Sequence, residues 1–156
     1  KSPKLFTTLT TTTRKFKIDR DWVLISDTVG FISKLPAYLI EAFKSTLEEL
    51  TFTDVVIVVI DATDNFNQLK IKFGSTIKTL TELGVKREKI IFTLNKTESL
   101  NDDTINKKIQ QLSPDDDKKW IAISAKTGKN LEELKKMIKK IIDKEKIIMD
   151  KSLDML

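Results

Sequence analysis

The stretch WVLISDTVGFISKLP, residues 22–36, decides how this chain folds. It begins with an apolar run that predicts a buried strand, and the strand leads into Asp27 and, three residues later, Gly30. A carboxylate at the end of a strand can hold Mg²⁺ through water, because Mg²⁺ prefers oxygen ligands and keeps several waters. A glycine can bring its backbone N–H against a phosphate, since no side chain stands in the way. The stretch therefore predicts a strand end that binds metal and phosphate.

Outward from this stretch, apolar strands alternate with helices. Continuous apolar and β-branched runs predict strands at residues 22–26, 55–60, 90–94 and 120–123. Apolar residues at helical spacing predict helices at residues 36–50, 66–80, 105–112 and 131–148. This alternation requires right-handed crossovers, so we expect an α/β fold with a doubly wound, mainly parallel sheet.

Turn residues set two further boundaries. The sequence Asp-Arg-Asp at 19–21 predicts a turn, so residues 15–19 and 22–26 are expected to form a hairpin. Gly84 follows the second predicted helix and is expected to end it in a left-handed cap.

The last helix carries its own signals. Asn130 with Glu133 three residues later resembles a capping box at its start. Beyond Ile148 the tail is expected to fray. We therefore expect one domain over residues 1–148 and a C-terminal tail over residues 149–156.

Composition narrows the possible functions. The 156 residues contain neither cysteine nor histidine, which removes disulfides, thiolate metal sites and the commonest general base. No apolar run approaches the roughly 20 residues needed to span a bilayer, so we expect no membrane partner. A cytoplasmic setting is the default expectation for a chain without cysteine, and we expect a monomer. The net charge of +5 permits a polyanionic partner such as RNA, although a solvated face formed by the lysines of the last helix is the stronger interpretation of this charge.

Polar residues follow each predicted strand. They are Asp27–Gly30, Asp61, Asn95–Glu98 and Ser124–Lys126. Ligands of doubly wound sheets bind beyond the carboxyl ends of the strands. These segments are therefore expected to line one rim.

In this order, DTVG, NKTE and SAK resemble the GTP-binding domain of the translation-factor class of small GTPases. The stretches LFTTLTTTTR and DTVGFISKLPAYLIEAFKSTLEEL are similar to the HflX family, ribosome-associated GTPases related to the Obg group. The resemblance covers nearly the whole chain, from Leu5 to the last helix. It implies a fold of the P-loop GTPase type that binds GTP and GDP with Mg²⁺ and hydrolyses GTP.

The resemblance assigns the metal and phosphate residues. Asp27 corresponds to a water-mediated Mg²⁺ ligand, and Gly30 to the backbone donor to the γ-phosphate. Thr8 corresponds to the switch threonine whose hydroxyl binds Mg²⁺ in the triphosphate state, although neighbouring threonines blur the match. Phe31 stands where many GTPases have a water-orienting glutamine. A phenyl ring cannot make that hydrogen bond, so water must be positioned from elsewhere or intrinsic hydrolysis must be slow.

The resemblance also assigns the base-reading residues. Asn95 corresponds to the asparagine that bonds the guanine edge, and Lys96 to the lysine whose stem covers the ring. Glu98 stands where the family pattern NKxD has aspartate, which accepts two N–H groups of guanine. Ser124–Lys126 match the last base-contacting loop, where the Ala125 amide would meet the guanine oxygen.

One family motif is absent from the sequence. No GxxxxGK[ST] occurs, and in the family that loop lies upstream of LFTTL. Its strand is expected in the middle of the sheet, between the strands ending at Ser26 and at Ile60. The first strand, the P-loop and the first helix are thus expected to be absent from this chain.

Two explanations of this absence compete. In the first, the chain is the later part of a longer GTPase that acts as a nucleotide-dependent switch on the large ribosomal subunit. In the second, it is a degenerate G domain that serves as a ribosome- or protein-binding module without hydrolysis. A third interpretation, an unrelated α/β domain with chance matches, stays open at this point.

Overall fold

The computed structural model describes residues 12–27, 38, 48–114 and 119–155. Its first element is the predicted hairpin. Strands Thr12–Ile18 (β1) and Asp21–Asp27 (β2) pair antiparallel, with Ile18 opposite Asp21. Asp19 adopts a left-handed φ of 54° in the turn, a conformation that aspartate tolerates better than most residues. The predicted hairpin is confirmed, with longer strands. The prediction that the strand at residues 22–26 is buried is wrong, because among the described residues it pairs with β1 alone and leaves Trp22, Leu24 and Ile25 exposed.

A parallel three-stranded sheet forms the centre of the described fold. Its strands are Val56–Asp61 (β3), Ile90–Asn95 (β4) and Trp120–Ala122 (β5), in the order β3-β4-β5. All three predicted strands are confirmed. The register places Asp61 opposite Asn95, so the ends of β3 and β4 lie side by side. Among the described residues, β2 and β3 belong to separate sheets. A strand between them, as the resemblance implies, stays a prediction.

Two helices pack on one face of this sheet. Phe66–Glu82 (α1) and Asp102–Leu112 (α2) begin at asparagine caps, whose side chains accept hydrogen bonds from backbone N–H groups three residues later. The core between helices and sheet includes Val56, Val58, Ile60, Leu69, Leu80, Phe92, Leu94, Ile105 and Trp120. We call it the α1/α2-side core. Short 3₁₀ turns at Glu48–Phe52, Arg87–Lys89 and Thr97–Ser99 complete this layer.

The hairpin and the last helix, Leu131–Asp154 (α3), bury the opposite face. This α3-side core includes Ile18, Ile91 and Ile138, with Phe16, Val23, Val55, Ile57, Ile121, Leu134 and Ile141 packed against them. Asp21, at the hairpin turn, also accepts hydrogen bonds from Lys139 at 3.4 Å and Lys146 at 3.3 Å. Helical layers on both faces of a parallel sheet confirm the doubly wound architecture.

The two ends of α3 differ from the sequence-based expectation. Asn130 precedes the helix but has a left-handed φ of 61°, and its side-chain amide donates to the Ala122 carbonyl at 2.7 Å. Its side chain makes no capping hydrogen bond, so the predicted capping box with Glu133 is wrong. The helix also continues past Ile148 to Asp154, because residues 149–154 include good helix formers and neither glycine nor proline. The fraying prediction is therefore wrong, whereas the division at residue 148 stays a prediction.

The helix predicted at residues 36–50 lies largely outside the described residues. Its last residue, Leu50, is buried in the α1/α2-side core. Within the part of the chain that the structure describes, no helix is long and apolar enough to cross a membrane.

Gly84 ends α1 as predicted. Its φ is +78°, its N–H donates to the Thr81 carbonyl, and the Val85 N–H donates to the Leu80 carbonyl, both at 3.0 Å. This pair of bonds is a Schellman motif, which satisfies carbonyls that the helix end leaves unpaired.

Replacing Gly84 with alanine should lower the free energy of unfolding by about 1–2 kcal/mol, the cost of a left-handed conformation for a residue with a Cβ. Gly74 is the matched control, because it lies inside α1 with open space where an added Cβ would point, and its φ is not positive. Gly74→Ala should instead stabilise the protein by about 0.5–1 kcal/mol. Urea unfolding of both variants measures whether each substitution lowers or raises the free energy of unfolding. Equal effects would show that the cap geometry does not matter.

Phe92 holds the α1/α2-side core together. Its ring is fully buried and lies 5.1 Å from the Trp120 ring and 5.4 Å from the Phe73 ring, centroid to centroid. Phe92→Ala should therefore cost about 3–5 kcal/mol of stability. Phe52→Ala is the control, because Phe52 is 86% exposed and its loss should change stability by less than about 0.5 kcal/mol. Chemical unfolding curves compare the two, and similar losses would contradict this assignment of the core.

Candidate nucleotide-binding site

The carboxyl ends of β3, β4 and β5 bring three polar segments together. Ala62, after β3, donates its N–H to the Asn95 carbonyl at 2.8 Å, and Ile123, after β5, donates to the Leu94 carbonyl at 2.7 Å. The segments are the DATD loop (Asp61–Asp64), the NKTE segment (Asn95–Glu98) and the SAK loop (Ser124–Lys126). The rim predicted from sequence is therefore present at these three strand ends.

Asn95 joins the NKTE segment to the SAK loop. Its side-chain oxygen accepts the Ala125 backbone N–H at 3.0 Å. That N–H is the group that the resemblance assigns to the guanine oxygen, so in this structure it already has a partner. The contact fixes the distance between the two segments and leaves the amide nitrogen of Asn95 available as a donor.

A second contact joins the same two segments through Glu98. The buried Ser124 hydroxyl donates to Glu98 Oε2 at 2.8 Å and accepts the Thr127 N–H at 3.2 Å. Hydrogen bonding to its own backbone N–H, and then to Ser124, lowers the pKa of Glu98. Glu98 is thus an ionised carboxylate with a fixed partner, although its side chain is longer than the aspartate of the family pattern.

Thr97 connects the NKTE segment to the backbone directly after β5. It is 1% exposed, and its hydroxyl donates to the Ile123 carbonyl at 2.9 Å. Sequence reasoning assigned it no role, because it occupies the variable position of the motif. The sequence signal that could have indicated a buried role is that Thr97 is short and β-branched, lies between the charged residues Lys96 and Glu98, and follows a strand closely.

The lysine of the NKTE segment has a partner that the sequence did not predict. Lys96 has a left-handed φ of 66°, and its Nζ donates to Asp61 Oδ2 at 2.9 Å. Asp61 Oδ1 accepts both the hydroxyl of Thr63, at 2.6 Å, and its backbone N–H, at 2.9 Å. The Thr63 hydroxyl is the main cause that lowers the pKa of Asp61 to about 2, and Lys96 adds to it against a partial effect of burial. The bond to Asp61 in turn raises the pKa of Lys96.

These two shifts keep the ion pair charged over a wide pH range. Because the pKa of Asp61 is depressed, its contribution to stability is present above pH 3.8 and is lost as the pH falls through about 2. The elevated pKa of Lys96 keeps the ammonium protonated at neutral pH. The Lys96–Asp61 pair is therefore intact under physiological conditions.

The metal and phosphate residues are only partly described. Asp27 is the last residue of β2 and is exposed, so its carboxylate is accessible to a hydrated cation. Thr8, Gly30 and Phe31 lie outside the described residues. Within the described ranges, no group of three or more acidic, histidine or cysteine side chains could hold a metal ion. Asp27 alone suits Mg²⁺ as an oxygen donor that acts through water.

Lys126, the last residue of the SAK loop, is exposed. Its positive charge contributes to the lowered pKa of Glu98. Its predicted contact with the nucleotide stays a prediction.

Comparison with known proteins shows which family this chain resembles. A family model described as 50S ribosome-binding GTPase matches residues 1–96. The GTPase HflX of Lacrimispora saccharolytica is 37% identical over 149 residues, which cover 95% of this chain and 33% of that protein. The GTPase HflX of Thermococcus kodakarensis is 38% identical over 107 residues, 69% of this chain and 24% of that protein. The chain thus spans about a quarter to a third of the length of these relatives.

Solved structures show the same fold. A GTP-binding protein from the hyperthermophilic archaeon Sulfolobus solfataricus, in complex with GDP, superposes with a TM-score of 0.71 at 32% identity. The match covers 90% of this chain and 48% of that one. The GDP complex of SsGBP gives a TM-score of 0.70 at 33% identity, over 89% of this chain and 45% of that one.

These matches confirm the resemblance stated from the sequence and a fold of the P-loop GTPase type. The chain belongs to the family of 50S ribosome-binding GTPases, as a relative of the HflX GTPases.

Proposed function

We propose that this chain forms the base-reading and switch-bearing part of a GTPase that binds GTP and GDP and hydrolyses GTP. The observation that carries the proposal is the pair of contacts between the NKTE segment and the SAK loop. Asn95 to Ala125 at 3.0 Å and Ser124 to Glu98 at 2.8 Å align the groups that a guanine base needs. Relatives named GTPases and solved structures with GDP support it.

Glu98 selects the base in this proposal. Guanine presents N1–H and a 2-amino group on one edge, and an ionised carboxylate has about four lone-pair positions to accept them. Two of these positions serve Ser124 and the Glu98 backbone N–H, and the other two are sufficient for two N–H groups. Adenine has an acceptor at N1 where guanine has N1–H, so it would lose these hydrogen bonds and place two acceptors against each other, which costs binding energy. The Ser124 bond compensates for the longer side chain of Glu98 by fixing where its carboxylate lies.

Asn95, Lys96 and Ala125 complete the base site. The Asn95 amide nitrogen donates to the base edge, and the Lys96 stem covers the ring. The guanine oxygen shares the Ala125 N–H with Asn95, or replaces Asn95 as its acceptor. Ser124 and Lys126 hold the loop and balance the charge of Glu98.

Asp27, Thr8 and Gly30 perform the phosphate chemistry in this proposal. Asp27, through water, and Thr8, through its hydroxyl, would hold Mg²⁺, and the Gly30 N–H would donate to the γ-phosphate. When bound, Mg²⁺ neutralises charge on the phosphates during transfer to water. Phe31 offers no hydrogen bond to the attacking water, so slow intrinsic hydrolysis is expected.

We further propose that the whole protein is cytoplasmic, acts as a monomer and binds the large ribosomal subunit in a nucleotide-dependent way. The description of the matching family supports the ribosomal partner. The net charge of +5 is compatible with contact to rRNA. The binding-module alternative shares this partner but excludes turnover.

Calorimetric titration of GDP and GTP with Mg²⁺ tests the proposal. The titration compares residues 1–156 with a version extended upstream through a glycine-rich phosphate-binding loop. We expect the extended version to bind and ATP not to compete, because the backbone N–H groups of that loop provide most of the phosphate contacts. If neither version binds guanine nucleotide, the GTPase proposal is wrong and the binding-module alternative replaces it.

Glu98→Gln tests base selection in the form that binds GDP. A neutral amide accepts more weakly and presents N–H groups to the base donors, so GDP affinity should fall about tenfold. Calorimetry with GDP and ADP measures the loss of selectivity. Glu133→Gln is the matched control, because Glu133 pairs with Lys136 on the surface of α3. The role of Glu98 is refuted if both variants bind GDP alike.

A further inference from the structure

The DATD loop carries a carboxylate that neither the sequence motifs nor the proposed function uses. Asp61 ends β3, and the parallel register sets it directly beside Asn95 at the end of β4. The backbone reinforces this placement, because the next residue, Ala62, is fully buried and donates its N–H to the Asn95 carbonyl. Asp61 is therefore tied to the start of the NKTE segment by the sheet itself.

The two oxygens of Asp61 have different partners. Oδ1 accepts two hydrogen bonds from Thr63, one from its N–H and one from its hydroxyl, and these fix the orientation of the carboxylate. Oδ2 accepts a hydrogen bond from the Lys96 Nζ, and the two atoms are 2.9 Å apart. A carboxylate held by two local bonds loses little freedom when it takes a third partner, so this ion pair costs less entropy than one between two mobile side chains.

The DATD loop is itself supported from the helices of the same face. Lys108 of α2 donates to the carbonyls of Ala62 and Asp64, and Lys72 of α1 pairs with the Asp64 carboxylate. Two lysines from different helices thus hold the DATD loop, Lys108 through backbone carbonyls and Lys72 through the Asp64 carboxylate. Asp61 is a rigid partner for Lys96.

We propose that Asp61 is a positioning residue of the base site: it holds the Lys96 ammonium, so that the lysine stem is ordered before a purine ring binds against it. This inference rests on the proposed function, because it assigns Lys96 to the base. A long lysine side chain loses considerable rotamer freedom when it is immobilised on a ligand. Anchoring its charged end in advance removes part of that cost, which increases affinity without adding a contact to the nucleotide.

The test is a double-mutant cycle in the form of the protein that binds GDP. Asp61→Asn removes the charge of the anchor, and Lys96→Met removes the ammonium but keeps an unbranched apolar stem. Asp61→Asn alone should weaken GDP binding about threefold to fivefold, the range of a partly exposed ion pair. In the Lys96→Met background the same substitution should have no effect on GDP affinity. A loss of equal size in both backgrounds would show a merely structural role and overturn the inference.

Asp64→Asn is the matched control. It lies in the same loop and breaks the ion pair with Lys72, yet its side chain does not bond Lys96. GDP affinity of this variant should stay within about twofold of the unchanged protein, because the Asp64 carboxylate is bonded to Lys72 and reaches Lys96 only through the longer-range effect of its charge. A loss as large as that of Asp61→Asn would attribute the effect to loop integrity and contradict the inference.

NMR titration of the Lys96 ammonium provides a readout without nucleotide. Asp61→Asn should lower the pKa of Lys96 toward its usual value, because Asp61 is the main cause of its elevation. If that pKa falls while GDP affinity is unchanged, the proposed function stands and the positioning role is wrong. If no form of the protein binds GDP, the proposed function fails and the positioning role fails with it.

Discussion

The parallel pairing of β3 with β4 is the constraint on which the rest of the structure depends. Six consecutive residue pairs, from Val56 with Ile90 to Asp61 with Asn95, run in register. Their alternating side chains supply both cores, one toward α1 and α2 and the other toward α3 and the hairpin. A slip of one residue would invert both faces at once. The hydrophobic pattern that fixes the register therefore also determines which polar residues meet at the carboxyl ends of β3 and β4.

At that end, side chains of neighbouring loops bond each other in pairs. Asn95 contacts the Ala125 amide, Ser124 contacts Glu98, and Lys96 contacts Asp61. Each pair joins segments that are 26 to 35 residues apart in the chain. The polar groups of the rim are thus satisfied by one another, which avoids the cost of unpaired groups in a partly buried site. A ligand that enters has to exchange bonds with a set of groups already in place.

The sequence predicted the strands, the helices and the rim because these follow from local patterns. A β-branched run such as residues 55–60 predicts a strand, although Val59 within it is 61% exposed, and polar residues after parallel strands must share an edge. Side-chain partners were not predictable in this way. The Lys96–Asp61 pair depends on the register between two strands, which no local pattern encodes. The role of Asn130 was predicted wrongly because asparagine is common both at helix caps and in left-handed turns, so the residue type alone does not distinguish them. The signal that distinguishes them is the Ala122 carbonyl, which lies eight residues away.

The two lysines that bond Asp21 add polar contacts to the apolar packing that positions β2, the strand that ends at Asp27. Lys139 and Lys146 lie about two turns apart on α3, and both reach the turn end of β2. Asp27 is at the other end of that strand, about 20 Å away. The turn end of the hairpin is therefore bonded to the last helix, and Ile18 packs it against Ile138 of that helix. The same helix is joined to the SAK loop, because Asn130 donates to the Ala122 carbonyl and the Ser124 N–H donates to the Lys129 carbonyl, so a displacement of α3 would act on the strand of Asp27 and on this loop together. Since exposed ion pairs weaken with added salt, the contribution of Asp21 to this connection depends on ionic strength.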